Sequence, residues 1–174
     1  LVGKTDLKVG DKIATLVSLS LTPLRIDKIK EIRADVDQVD IDGKAILFES
    51  GIYAKIPADL PEKLALSALD VAGAPAQTAK LVKPGDTVLI IGAGGKSGML
   101  CCYEAKKRAG VTGKVIGLCH SQRSTERLQK LGFCDYVFSD DATQPVPVME
   151  KIGGKAYRKM CDITINNVNI TDTE

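Results

Sequence analysis

The pattern of apolar and polar positions divides the chain into two parts. Up to residue 55, short runs rich in β-branched residues predict strands at 12–19, 23–29, 38–42 and 44–48, with a hairpin turn at Asp42-Gly43. Residues 57–82 are predicted to form an apolar helical segment, which Gly73 to Pro75 interrupt. From Pro84 onward, continuous apolar runs typical of strands buried on both faces alternate with segments of helical period.

The second part repeats a unit of strand followed by helix. Apolar runs predict strands at 86–92, 114–119, 135–138 and 161–166. Ser121 is placed to cap a helix over 122–131, and a short helix is expected over 146–152. Strands and helices that alternate at this spacing form a parallel α/β sheet with right-handed crossovers. The predicted organisation is therefore a β-rich domain over 1–60, a helical connection over 61–83 and an α/β domain over 84–174.

Composition narrows the possible functions. The 174 residues are 44% hydrophobic and 26% charged with a net charge of +2, which is typical of an ordinary soluble globular protein. Basic residues interleave with acidic ones and aromatic residues make up 4%, which argues against nucleic-acid binding. No apolar run approaches the ~20 residues of a membrane span. The five cysteines lack Cys-x-x-Cys spacing, so we expect free packing thiols in the reducing cytoplasm rather than disulfides or a structural zinc site.

A glycine-rich run, IIGAGGKSG, follows the first strand of the second part and carries two conflicting signatures. Gly95-Lys96-Ser97 is the end of a nucleoside-triphosphate P-loop, but that motif needs another glycine five positions earlier, where Ile90 stands. The second signature is a dinucleotide-binding turn, whose helix N-terminal amides face the pyrophosphate. In that reading Gly92 makes the turn, Gly95 admits the phosphates and Gly98 lets the helix pack on the sheet. The predicted cofactor-binding residues of the run are Gly92, Gly94, Gly95, Lys96, Ser97 and Gly98.

The end of the second strand bears on the choice of dinucleotide. An NAD-specific site places a carboxylate there to bind the ribose 2′-hydroxyl, whereas this sequence has Cys119 and no carboxylate before Glu126. Ser121 and Arg123 follow instead, and Arg123, or else Arg127, could pair with a 2′-phosphate. We therefore expect NADP, or both NADP and NAD, rather than NAD alone. The alternative is that Arg123 is simply a solvated residue at the start of a helix.

Two further features leave their role open. Asparagines follow the fourth strand, at the edge where parallel sheets bind ligands, and Asn167 is the candidate for contact with the nicotinamide ribose. Its alternative is turn chemistry, since asparagine is common where a strand stops. The charge-alternating hairpin over 24–42 is either a solvated ribbon or an edge that pairs with another subunit.

Six phrases of this chain, in their order along it, resemble the medium-chain dehydrogenase/reductase superfamily. They are LKVGDKI, YAKIPADLP, VKPGDTVLIIGAGGKSG, GKVIGL, RLQKLGFCDYV and CDITIN. The resemblance implies an α/β fold, with a Rossmann-type parallel sheet preceded by part of a GroES-like β barrel. The glycine register is similar to that of the quinone-reductase-like branch. Longer phrases, among them KAILFESGIYAKIPADLP and GKSGMLCCYEAKKRAG, resemble the diaminohexanoate dehydrogenase family of lysine fermentation more closely.

The closer resemblance implies an internal segment of a longer, homo-oligomeric enzyme that uses NADP or NAD. Its reaction is the oxidative deamination of a small molecule, L-erythro-3,5-diaminohexanoate, to 5-amino-3-oxohexanoate. The resemblance also implies no zinc, because Asp70 stands where zinc-dependent members place a cysteine ligand. Alternatives are another NADPH-dependent quinone- or enoyl-reductase-like member, or a non-catalytic dinucleotide-binding module.

Three residues are candidates for the catalytic work. Asp70 is the first, as a carboxylate that binds the substrate amine or accepts its proton. Its alternative is a helix cap or a buried hydrogen-bond anchor. Glu49 and Tyr53 are weaker candidates, with a turn residue and a barrel-core residue as their alternatives.

Overall fold

The computed structural model describes residues 5–15, 22–153 and 160–169. The chain divides into two compact units, Leu1–Asp70 and Val71–Glu174. The boundary between them falls inside the segment 61–83 that the sequence indicates as a helical connection.

The first unit combines small antiparallel sheets with one helix. In its described residues, strand β1 (Ile13–Thr15) pairs with β4 (Tyr53–Lys55), and β2 (Leu24–Arg33) pairs with β3 (Gln38–Ala45). Helix α1 (Glu62–Leu69) follows directly after Pro61. The β-rich character predicted for this part is therefore present, although residues 16–19 of the first predicted strand lie outside the described residues.

The hairpin turn predicted at Asp42-Gly43 is wrong. The chain reverses instead through a single 3-10 turn, Ala34–Val36, after which Asp37 adopts a left-handed conformation with a φ of 53°. Aspartate tolerates that conformation better than most residues because its short side chain can hydrogen-bond locally. Gly43 lies within β3, where a Cβ atom would stand 2.5 Å from the carbonyl oxygen of Arg25. The close approach of the two strands, rather than a turn, therefore explains this glycine.

The second unit contains a parallel sheet. Its described strands are β5 (Thr87–Ile91), β6 (Lys114–Cys119), β7 (Tyr136–Ser139) and β8 (Ile163–Asn166), in the order β7-β6-β5-β8. All three pairings are parallel, and the order matches the first four strands of the Rossmann fold. The central strands β5 and β6 are buried along most of their length. The predicted parallel α/β sheet is therefore confirmed.

Three helices connect these strands at the predicted places: α3 (Lys96–Ala109), α4 (Gln122–Leu131) and α5 (Pro145–Gly153). A further helix, α2 (Gly73–Leu81), precedes β5. The predicted interruption at Gly73 to Pro75 is wrong, because this segment begins α2. Proline is tolerated there since the first turn of a helix does not need its missing N–H group. The break falls earlier, at residues 70–72, between α1 and α2.

The cysteines pack the core of the second unit, as predicted. All five are free, and Cys101, Cys102 and Cys119 are buried among the apolar residues between the sheet and its helices. A hydrogen bond to Cys134, together with burial, raises the pKa of Cys102. This thiol therefore stays protonated and behaves as a small apolar group.

Candidate functional site

The glycine-rich turn joins β5 to α3 at the carboxyl edge of the sheet, and three of its glycines are required by packing. Gly92 has a φ of 75°, and a Cβ atom there would stand 2.7 Å from Cγ1 of Val168. At Gly94, a Cβ atom would lie 2.5 Å from Cβ of Ser124 in the first turn of α4. At Gly98, a Cβ atom would lie 2.7 Å from Cα of Ala93 and closer still to the carbonyl oxygen of Gly92. The turn therefore packs closely against the residue Val168 that follows β8, against the start of α4 and against α3.

Gly95 has different surroundings from the other three. Among the described residues, a Cβ atom there would contact only the carbonyl oxygen of Gly92, at 3.4 Å. Its φ of −78° and ψ of 172° suit any residue, and the position is exposed. Packing and backbone conformation therefore leave glycine unexplained at Gly95, whereas a ligand that approaches the backbone closely would explain it.

The start of α3 also lacks a side-chain cap. Gly95 is its N-cap residue and makes no side-chain hydrogen bond, whereas Ser121 caps α4 by accepting from the backbone N–H of Ser124 at 3.3 Å. The first N–H groups of a helix have no partner within the helix, and the helix dipole favours an anion beside them. A phosphate group would satisfy the donors at the start of α3.

Asn167 links the end of β8 to this turn. Its backbone N–H donates to the carbonyl oxygen of Ile91 at 3.0 Å, and its Oδ1 accepts from the Ser97 hydroxyl at 3.0 Å. Its buried Nδ2 has no hydrogen-bond partner among the described residues. A buried donor without a partner costs ~1–3 kcal/mol, which an acceptor on a ligand would recover. The orphaned donor of Asn167 and the open position at Gly95 therefore fit a bound dinucleotide.

Two clefts border this region within the second unit. A cleft of about 70 Å³ lies where β5, β6 and β7 end, and its lining includes Gly92, Cys119 and Val168. A second cleft of about 240 Å³ lies between α2 and β8, and its lining includes Thr78 and Asn167. The carboxyl edge of a parallel sheet is where such folds bind ligands. The end of β8 thus contributes to both clefts, one on each side of Asn167-Val168.

The two arginines of α4 differ in their surroundings. Arg127 donates from Nη2 to the carbonyl oxygen of Gly94, so its guanidinium helps to hold the turn. Arg123 lies in the first turn of α4 and is exposed. Ser121, which was predicted together with these arginines, is the N-cap residue of α4. The pairing of Arg123 with a 2′-phosphate, and with it the preference for NADP, stays a prediction.

The three candidate catalytic residues lie in the first unit. Asp70 is exposed at the C-terminal end of α1, where it is the C-cap residue. Its backbone N–H donates to the carbonyl oxygen of Leu66 at 3.0 Å. Glu49 is exposed in the turn that follows β3. The catalytic roles of Asp70 and Glu49 stay predictions.

Tyr53 belongs to a charged cluster that the sequence did not reveal. Its hydroxyl donates to the carboxylate of Asp6, and Nζ of Lys55 lies 3.6 Å from Oδ2 of Asp6 and 3.3 Å from Oδ2 of Asp11. The hydrogen bond to Asp6 raises the pKa of Tyr53, so the phenol stays protonated at neutral pH. The phenol donates its single hydrogen to Asp6, so Tyr53 is not suited to act as a base. Asp6 and Tyr53 are 47 residues apart, and no local pattern in the sequence connects them.

Two negative findings concern the described residues. In that part of the chain, no group of three or more His, Cys, Asp or Glu side chains is arranged to hold a metal ion. The same residues include no helix long and apolar enough to cross a membrane. The prediction that the protein uses no zinc stays a prediction.

The fold is shared with known oxidoreductases. The structure superposes on a quinone oxidoreductase of Pseudomonas syringae pv. tomato with a TM-score of 0.65 and 19% sequence identity, over 92% of this chain and 42% of that one. The chain therefore has the fold of the medium-chain dehydrogenases/reductases, which confirms the predicted fold class.

Closer relatives identify a narrower group. A family model described as the L-erythro-3,5-diaminohexanoate dehydrogenase N-terminal domain matches residues 1–57. Proteins named L-erythro-3,5-diaminohexanoate dehydrogenase from Acetoanaerobium sticklandii and Fusobacterium nucleatum subsp. nucleatum are 63% and 60% identical over all 174 residues. The chain spans about half of their length, 51% and 50%. The resemblance to this dehydrogenase family is therefore confirmed.

Proposed function

We propose that the chain provides the dinucleotide site and part of the substrate site of an NAD(P)-dependent dehydrogenase that oxidatively deaminates L-erythro-3,5-diaminohexanoate. The observation that carries the proposal is the open backbone at Gly95, beside the uncapped start of α3. The substrate is supported by the names of two relatives that match the whole chain.

The reaction converts a C–NH₃⁺ group to a ketone. The substrate ammonium, oxidised dinucleotide and water give the 3-oxo product, NH₄⁺, reduced dinucleotide and one proton. The dinucleotide, when bound, supplies the oxidant by accepting the hydride from C3. The protein has to bind both molecules, orient C3 and remove a proton from the amine.

In this proposal, residues of the second unit hold the dinucleotide. The first N–H groups of α3 bind the pyrophosphate, and the cationic side chain of Lys96 lies in the same turn of the helix. The Ser97 hydroxyl donates to Oδ1 of Asn167, and the buried Nδ2 of the same side chain is the donor that lacks a protein partner among the described residues. The Gly92 turn brings the strand end and the helix start together at one edge of the sheet.

Residues of the first unit act on the substrate in this proposal. A carboxylate binds an ammonium group and, once the amine has to lose its proton, accepts that proton. Asp70 is the exposed carboxylate that we assign to this role. Tyr53 donates its single hydroxyl hydrogen to Asp6, so toward the substrate its oxygen would accept a hydrogen bond from the ammonium group rather than remove a proton as a base.

The cofactor part is tested by calorimetric titration with NADP⁺, NAD⁺ and Mg-ATP in parallel. We expect NADP⁺ or NAD⁺ to bind and Mg-ATP not to bind. Gly95→Asp places a carboxylate toward the phosphates and should weaken dinucleotide binding by at least about tenfold, equivalent to ~1.4 kcal/mol. Gly73→Asp is the matched control, because Gly73 also begins a helix and a Cβ atom there meets nothing within 4 Å. Equal losses in the two variants, or binding of Mg-ATP alone, would contradict the proposed cradle.

The catalytic part is tested on the protein at its full natural length. We expect dinucleotide reduction with 3,5-diaminohexanoate and release of ammonia, and an Asp70→Asn variant that binds the dinucleotide normally but turns over slowly. Normal turnover by Asp70→Asn would exclude Asp70 as the proton acceptor. Dinucleotide binding without any amine oxidation would refute the assigned reaction and leave the binding site standing.

A further inference from the structure

The β2–β3 hairpin is a ribbon with two chemically opposite faces. Residues directly opposite each other in an antiparallel pair lie on the same face. One face carries only apolar residues and glycine, in the pairs Leu24–Ala45, Ile26–Gly43, Ile29–Ile41 and Ile32–Val39. The other face carries only charged or polar residues, in the pairs Arg25–Lys44, Lys28–Asp42, Glu31–Asp40 and Arg33–Gln38.

Two irregularities in β2 keep the apolar face continuous. Strict alternation from Ile26 would turn Ile29 toward the charged face, because these two positions differ by an odd number. Register shifts between Ile26 and Lys28 and between Ile29 and Glu31 each insert one residue and restore the alignment with β3. The apolar face of the ribbon therefore depends on both bulges, and a continuous face of this kind is the usual mark of a covered surface.

That face is exposed within the described chain. Its five largest exposed side chains are 52–66% accessible: Leu24, Ile26, Ile29, Ile32 and Val39. Together they offer on the order of 500 Å² per copy, so two stacked faces would bury ~1,000 Å², the size at which specific protein interfaces begin. A patch of this size is in the upper part of the range of the largest apolar patch on a monomer, and such patches are often interaction sites.

Several charges of the ribbon are paired within it. Arg33 binds Asp40 through two hydrogen bonds of 2.8 and 2.6 Å, and Nζ of Lys30 lies 2.5 Å from Oδ1 of Asp42. Residues 24–45 contain five basic and six acidic side chains, so two copies meeting here experience little net repulsion. A nearly neutral ribbon also offers no attraction to a polyanion or an anionic membrane.

We propose that the apolar face of the β2–β3 ribbon is covered by the same face of a second copy of this chain, related by a two-fold axis. The two ribbons stack with their apolar faces inward and their charged faces in water. Such an interface is isologous, so each copy contributes the same residues to it.

The test uses the protein at its full natural length and two matched double variants. Ile29→Ser with Ile32→Ser changes the apolar face, while Lys28→Ser with Glu31→Ser changes the neighbouring positions of the charged face and leaves the net charge unaltered. Sedimentation velocity over a range of concentrations gives the dissociation constant of the dimer. We expect the apolar-face variant to raise this constant at least ~100-fold and the charged-face variant to change it little.

A second measurement does not depend on destabilising substitutions. Photoactivatable benzoylphenylalanine at position 29 keeps the face apolar, and mixing copies that carry two different tags separates cross-links between chains from cross-links within one chain. Cross-links between differently tagged chains at ribbon residues are expected. A wild-type protein that stays monomeric, equal effects of the two double variants, or cross-links confined to single chains would overturn the proposal. The last result would instead assign the cover to another part of the same polypeptide.

Discussion

Gly98→Ala tests whether α3 rests directly on the glycine turn. The new methyl group would lie 2.7 Å from Cα of Ala93 and 2.9 Å from the carbonyl carbon of Gly92, with the Gly92 oxygen closer still. All three atoms belong to the backbone, so they cannot rotate away as a flexible side chain can. Overpacking of this kind costs ~1–3 kcal/mol, and its upper range applies where the neighbours are rigid. Alanine returns up to ~1 kcal/mol through its higher helix propensity.

The net loss expected for Gly98→Ala is about 2 kcal/mol, or a fall in Tm of about 4–8 °C at 2–4 °C per kcal/mol for a chain of this size. Far-UV circular dichroism during heating measures this change. Gly95→Ala is the matched control, because its methyl group meets a single atom at 3.4 Å and should alter stability by less than ~0.5 kcal/mol. We expect Gly95→Ala to weaken dinucleotide binding without loss of stability. Direct packing of α3 on the turn would be refuted if Gly98→Ala had the Tm of the wild type, or if both variants lost stability equally.

Two further outcomes follow from the contacts described above. Arg123→Ala should weaken NADP⁺ binding and leave NAD⁺ binding intact. Arg127→Ala removes a contact to Gly94 and should weaken the binding of both cofactors. If calorimetry shows that Arg123→Ala changes the affinities for NADP⁺ and NAD⁺ equally, the 2′-phosphate role of Arg123 is rejected. Asp6→Asn should lower the pKa of Tyr53 toward the ordinary value of ~10, because a neutral amide replaces the carboxylate that accepts the hydrogen bond of the phenol. The phenolate absorbance, measured as the difference from a Tyr53→Phe variant, reports this titration, and Asp11→Asn should leave it unchanged.

The second unit was predictable because its signals are local. Each strand of the parallel sheet is an apolar run, and the Ser121 cap and Gly132 lie at the ends of α4 where capping chemistry places them. The right-handed crossover rule restricts how such strands can be connected, but the order β7-β6-β5-β8 depends on which strands pair. The reason for Gly94 could not be derived in this way, since Ser124 comes close to it only after α4 has packed against the turn.

The first unit was less predictable because its structure depends on pairing between distant residues. The Asp42-Gly43 dipeptide is a strong local turn signal, yet the chain turns at Ala34–Val36 and uses Gly43 for close strand approach. The bulges of β2 are likewise visible only once its register with β3 is known. The cluster of Asp6, Tyr53 and Lys55 forms across 47 residues and was missed for the same reason.

The glycine turn shows how a structure can separate two explanations that a motif leaves open. A turn that binds nothing requires glycine only where the backbone turns or packs closely, and Gly92, Gly94 and Gly98 meet that requirement. Gly95 does not meet it, because its conformation is ordinary and its Cβ position is nearly empty. The buried Nδ2 of Asn167 is a second unexplained feature, and it lies on a side chain that Ser97 ties to the same turn. A bound ligand whose phosphate accepts hydrogen bonds from amide donors accounts for both features. A turn that binds nothing explains neither of them.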